Sequence, residues 1–387
     1  MCCGERICAP TPGWSLPKWK RYPRRGSSVK NIWIGSLLLL ILLPLWGKNK
    51  AEELRVIHSD KLYLNKVQDE QILELYGNVH FWYGETEFHS NRAMIFDKQK
   101  IARLDGNVKV NNDSLALKAD SLTYYRIPDQ LNAGGKVYIT ETRKSGSFRW
   151  FRSDFAIYNM KVDNVTAWQN VSSYDKDEKA SATCGYAFWD RKNGYAYMVE
   201  NPVVRSAAED TLLVKAEKIE FFDEERKLVA TFNVLAQTRD YKATSDFLLY
   251  FLNGDKAVFT GAPRFDSDYA SAEAREFYLY FEQRKLIGAE LVDSCRVWFS
   301  EEPNAPKSNW VNADYINLGF KDQAIRDFKA ENSVNYYYLQ SPNEKRDFFI
   351  NSASGSYLEA RFGEDNKLQD MKMRQGIKGI YKFQDKS

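Results

Sequence analysis

A two-part phrase returns along this chain about every thirty residues, and a unit repeated at that interval builds by stacking on its own copies rather than around one central core. The first part is a turn residue followed by an alternating apolar pair: Gly77-Asn78-Val79-His80-Phe81, Gly106-Asn107-Val108-Lys109-Val110 and Gly135-Lys136-Val137-Tyr138-Ile139, with weaker copies at Asn201, Asn233 and Ala262. The second part is a small residue, an acid and an alternating strand, as in Ala119-Asp120-Ser121-Leu122-Thr123-Tyr124, Ser153-Asp154-Phe155 and Ser245-Asp246-Phe247. Apolar residues recurring with period two mark strands with one buried face. The inward set is Val79, Phe81, Val108, Val110, Leu122, Val137, Ile139, Ile219, Phe221, Phe277, Leu279 and Phe281. Each of these positions fits a plain sandwich core as well as it fits the wall of a binding groove.

Aromatic residues make up 14% of the 387, and Pro is sparse away from the two ends, a balance that favours strands over helices or disorder. Turn signals stand between the strands at Asn111-Asn112-Asp113, Asp129 to Gly134, Lys144-Ser145-Gly146 and Asn253-Gly254-Asp255, as hairpins of an antiparallel meander require. Phe247 to Leu252 is apolar on both faces, which fits a strand covered on both sides or one short helix. Glu301 to Ser308 interrupts the pattern with two prolines and reads as a long loop or a joint, after which the repeats lengthen.

The net charge of +3 is carried by the first fifty residues, and beyond them 46 basic residues face 51 acidic ones. That interspersed surface lacks the basic face of a nucleic-acid binder. Lys18, Lys20, Arg21, Arg24, Arg25 and Lys30 precede the apolar run Ile32 to Trp46, a basic region and an apolar region of the length of an export signal. Leu45 to Ala51 lacks a small-x-small cleavage pattern, so an uncleaved anchor fits too, and Met1 to Arg25 reads as an extension upstream of the signal. Cys2, Cys3 and Cys8 precede the apolar run. Cys184 and Cys295 remain in the body, and an exported protein could pair them or keep both as buried thiols.

Catalysis needs a nucleophile or base beside orienting groups, and no serine-hydrolase elbow, zinc-protease motif, phosphate loop or dinucleotide fingerprint occurs. The three histidines, His58, His80 and His89, read as outward or turn residues on neighbouring strands, because no third ligand has metal-site spacing. The recurring acids Asp60, Asp120, Asp154, Glu217, Asp246, Glu273 and Asp314 come once per unit in register. They read as structural turn caps rather than calcium ligands or catalytic acids. No catalytic residue, metal or cofactor is expected.

The phrase Tyr76-Gly77-Asn78-Val79 followed by Ala119-Asp120-Ser121-Leu122-Thr123-Tyr124, with the opening Ile57-His58-Ser59-Asp60-Lys61-Leu62-Tyr63-Leu64, resembles the OstA/LptA family of lipopolysaccharide-transport proteins, over most of residues 54–300 and more loosely 301–387. The resemblance implies an all-β, elongated β-jellyroll of stacked antiparallel strands, a V-shaped pair of sheets whose apolar groove carries lipid acyl chains. It also implies a periplasmic location, lipopolysaccharide or a related lipid as cargo, and other jellyrolls of the export machinery as partners at the edge strands. The domains expected are a basic extension with signal or anchor (1–50), an OstA-like jellyroll (51–300) and its continuation with longer repeats (301–387). Departures from the compact members lie in the length, in the degraded unit around Ala182-Thr183-Cys184-Gly185 and in the expanded units after Pro306. Two alternatives stand beside this reading. One is a right-handed parallel β-helix enzyme acting on exported polysaccharide; the other is an envelope scaffold that stacks through its ends.

Overall fold

A computed structural model describes residues 53–112, 115–142, 146–206, 212–252, 255–282, 285–300, 302–321, 324–340, 348–364 and 368–384. The basic stretch and apolar run read as an export signal lie outside them. The described residues form strands and turns only. The first nine strands are β1 (Leu54–His58), β2 (Lys61–Val67), β3 (Glu70–Tyr83), β4 (Thr86–Phe96), β5 (Ile101–Asn112), β6 (Leu115–Tyr125), β7 (Gln130–Thr142), β8 (Phe148–Asn159) and β9 (Asn164–Asp175). Shorter strands follow: β10 (Ala180–Asp190), β11 (Tyr195–Val199), β12 (Val203–Ser206), β13 (Leu213–Lys215), β14 (Lys218–Phe222), β15 (Lys227–Gln237), β16 (Tyr241–Phe251), β17 (Lys256–Thr260), β18 (Arg264–Ser267), β19 (Ala270–Glu273) and β20 (Glu276–Glu282). The last six are β21 (Lys285–Phe299), β22 (Asn309–Lys321), β23 (Ala324–Gln340), β24 (Phe348–Phe362), β25 (Leu368–Arg374) and β26 (Lys378–Gln384).

Every pairing is antiparallel and joins chain neighbours or strands one corner apart. The fold class is therefore all-β with stacked antiparallel strands, and a parallel β-helix is not the architecture. The stretch Phe247 to Leu252, where a helix was the competing expectation, lies largely in β16. The sheet also continues across the proline-rich interruption, because β21 pairs with β22 on its far side.

What folds this one sheet into two layers is a corner in mid-strand. Consecutive pairs with positive φ occur at Gly77-Asn78, Gly106-Asn107, Gly135-Lys136, Gln169-Asn170, Glu200-Asn201, Phe232-Asn233, Gly261-Ala262, Asp293-Ser294, Asn332-Ser333 and Gln375-Gly376. Left-handed conformation suits Gly and Asn and bends the strand sharply. Register shifts there, with two residues of one strand set against one of the next, as between Tyr76 and Val79 opposite Arg92 and Ser90, which is the count of a β-bulge.

At most corners the single residue across is the acid of the second part, while Asn91, Gly185 and Ser356 stand there at others. Asp60 N–H donates to the Gly77 carbonyl at 3.0 Å and Asp246 N–H to that of Gly261 at 3.1 Å. Asn78, Asn170 and Asn233 side chains donate to Asp60, Asp154 and Glu217 at 3.2, 2.7 and 2.6 Å. These acids tie the corner, as the structural reading expected. Among the recurring acids Glu273 departs from this: Arg275 N–H meets the Asp293 carbonyl at 3.0 Å and its guanidinium reaches Asp293 Oδ2 at 3.2 Å. The charge pair is swapped there, so the local phrase pointed two residues early.

Each long strand thus contributes its two halves to two layers that meet along the corners and face one another. Residues 70–76, 92–96 and 101–105 lie in the first layer, and 79–83, 86–90 and 108–112 in the second. The hairpin turns of both layers lie on the side away from the corners. Rings meet across the layers at Tyr83 and Tyr124, 5.7 Å apart, and at Phe151 and Trp189, 4.8 Å apart. The first layer ends at β2 and β25, the second at β1 and β26.

Candidate functional site

The space between the layers changes along the stack. From β3 to β9 the inward positions carry large side chains: Leu75, Phe81, Phe88, Leu104, Leu117 and Leu131 are each at most 1% exposed. Tyr124 of the first layer packs its ring 5.4 Å from Phe88 of the second. Close-packed side chains of this size leave no room between the sheets until β8 and β9, where Phe151 and Val171 already line the cavity that follows.

From β10 onward the second layer turns small. Its inward residues include Ala182, Ala236, Ala243, Ala270 and Ala272, while the first layer keeps Phe221, Leu248, Phe277, Leu279 and Phe281 opposite them. Alanines facing aromatics that do not reach across leave a cavity of about 660 Å³ lined by Ala236, Ala272, Phe221, Phe277, Leu279 and Phe281 among others. That volume falls within the roughly 300–1,000 Å³ of ligand pockets.

Ion pairs mark the N-terminal lip, on the side where the hairpin turns of the two layers approach. Arg191 of the first layer reaches Glu141 of the second at 2.7 Å and its own layer's Asp163 at 2.6 Å. Arg149 also pairs with Glu141 and lies 3.6 Å from Asp223 across the opening, and Arg226 reaches Glu178 at 2.6 Å. Burial pushes the Glu141 carboxyl up, but Arg149 and Arg191 outweigh it and hold it below the ordinary carboxylate range. Arg149 lies over the Trp189 ring at 4.0 Å, so the guanidinium covers an apolar ring while pairing with acid. At the C-terminal lip Phe299 of the second layer and Phe362 of the first meet edge to face at 6.3 Å.

The twelve sequence-selected positions divide between these regions. Val79, Phe81, Val108, Val110, Leu122, Val137 and Ile139 point inward into the closed part. Ile219 is buried beside the cavity without lining it, whereas Phe221, Phe277, Leu279 and Phe281 line it. The alanines and the ion pairs were missed. The sequence signal for the alanines is a change of size at the inward parity, from Val-Phe and Val-Val to Ala. Arg191 and Glu141 are fifty residues apart, and nothing local announces them. Cys184 and Cys295 are both buried free thiols, not a disulfide, and burial pushes each up to about 12.

The two ends of the stack differ from its middle. Both terminal pairs expose apolar side chains: Leu64 is 68% and Phe383 66% exposed, with Leu62, Tyr63, Ile380 and Tyr381 beside them. Such edges offer free backbone donors and acceptors to another strand.

No protein-family model matches the chain, and no curated protein matches it in sequence. Among solved structures it is similar to the crystal structure of LptH, the LptA-homologous periplasmic component of the conserved lipopolysaccharide transport device from Pseudomonas aeruginosa. The identity is 13% over 43% of this chain and 75% of that chain, with a TM-score of 0.12. A TM-score that low does not superpose the two folds, so the architecture stands on the strand pairing described above.

Proposed function

We propose that the chain is a periplasmic lipid conduit of lipopolysaccharide transport to the outer membrane, shielding acyl chains between its two layers, with domains divided as the sequence suggests. The observation that carries this reading is the apolar cavity lined by residues from β8 to β25, which opens between the free hairpin ends of the layers. Hydrocarbon in such a slot is removed from water without any covalent step, and contact with apolar walls supplies the driving force at roughly 25 cal/mol per Å² buried. The exposed strands β2 and β26 support a second part of the reading, that other jellyroll proteins of the export machinery add their edge strands there.

Binding of a fluorescent acyl-chain probe tests it. Phe281→Glu places a charge in the cavity wall and is expected to weaken the probe at least about tenfold, with the far-ultraviolet spectrum unchanged. Equal affinity in a folded Phe281→Glu variant overturns the conduit. Polymerisation through the end strands without probe uptake would instead favour a scaffold.

A further inference from the structure

All three histidines of the chain stand on neighbouring strands near the N-terminal edge of the second layer, in register. His58 of β1 lies opposite His80 of β3, and His80 opposite His89 of β4. Val79 and Phe81 point inward on β3 and Phe88 and Ser90 on β4, so alternation turns His80, Glu87 and His89 to the outer face. Period two sets Glu87 beside His89 on that face, and strand pairing in the β3–β4 hairpin supplies His80.

The three side chains converge. His80 Nε2 lies 2.9 Å and His89 Nε2 3.2 Å from the same oxygen, Glu87 Oε1. The two imidazole rings stack 4.1 Å apart at 18°, which sets their nitrogens side by side. All three donor atoms fall within 4.8 Å of one another. The second carboxylate oxygen accepts a hydrogen bond from Asn111 Nδ2 of β5 at 2.8 Å, which fixes the orientation of the carboxylate as an outer-shell partner does in metal sites. The side chains keep 25%, 21% and 36% of their exposure, so an ion can enter from solvent.

We propose that His80, Glu87 and His89 form a binding site for a divalent ion of the zinc class, with a fourth position open to water or to a ligand from another molecule. A tetrahedral ion with bonds of about 2.05 Å spaces its ligands about 3.3 Å apart. The two nitrogen-to-oxygen distances already match that spacing, and on binding the stacked rings turn out of parallel so that both in-plane lone pairs aim at one ion. Two imidazoles with one carboxylate suit zinc, nickel or copper, whereas calcium and magnesium want all-oxygen shells. His58 stays outside the set: its Nε2 is engaged 3.2 Å from Asp60 Oδ1.

Titration of the full-length chain, carrying no polyhistidine tag, with zinc chloride in a calorimeter tests the site, and cobalt(II) serves as a visible-absorption probe of coordination. One ion per chain is expected. His80→Ala, His89→Ala and Glu87→Gln are each expected to weaken it at least about tenfold, while His58→Ala leaves it in place. His80→Gln serves where His80→Ala fails to fold, judged by the thermal transition. Zinc binding of equal strength in the folded His80→Ala/His89→Ala double variant overturns the site, as does a stoichiometry well below one.

Discussion

Strands β3–β7 and the strands from β8 onward follow one corner rule and one alternation, yet the first region is shut and the second holds the cavity. The difference lies in the size of the inward residues of the second layer. Val108, Val110, Leu117 and Ile139 fill the closed region, whereas Ala236, Ala243 and Ala272 stand at the matching inward positions beyond it. Where alanines recur among the inward residues, less side-chain volume is left to fill the interior. Repetition thus builds the scaffold, and departures from the repeat build the cavity.

Five changes would break or sharpen this contrast. The largest is at the boundary: Arg191→Met leaves the buried Glu141 short of one partner and is expected to cost about 3–5 kcal/mol by urea unfolding. The same carboxylate gives a pH dependence. Because its folded pKa is lowered, its contribution is present above the unfolded value near 4.5 and is lost as pH falls through the folded value. Glu141→Gln should therefore flatten the acid limb of the stability curve, and an unchanged limb would mean that the ion pairs do not hold the lip. Next is Leu104→Ala in the closed region, expected to cost about 3 kcal/mol with probe affinity in the cavity unchanged. A parallel fall in affinity would show that the regions are not independent.

Gly77→Ala acts on the corner that both regions share. With φ at +75° and the added Cβ directed into the Asp60 side chain, it is expected to cost about 2 kcal/mol, measured by the thermal midpoint. Smallest in stability is Ala272→Leu, which fills part of the cavity. It should change stability by under about 1.5 kcal/mol while weakening the acyl probe several-fold. Undiminished binding would place the ligand elsewhere.

Much of the fold was legible. The weak phrase copies at Asn201, Asn233 and Ala262 are each the second residue of a left-handed pair. Corners at Gln169-Asn170, Asp293-Ser294, Asn332-Ser333 and Gln375-Gly376 went unread. The Asn that reaches an acid sixteen residues earlier, as Asn170 reaches Asp154, would have found the first of them. The candidate site was less legible. Phe81 and Phe281 carry the same alternation, but one is sealed and the other lines a cavity, since an alternating pattern names the face and not what stands opposite.

By itself, then, the sequence determined where each strand bends and which side of it is dry, because local backbone preference and period-two alternation are properties of a few adjacent residues. Only the tertiary structure decided where the layers part, that Arg191 meets Glu141, and that His80 joins Glu87 and His89. Those contacts are made between residues on different strands or different layers, and their distance depends on side chains that no local pattern brings together.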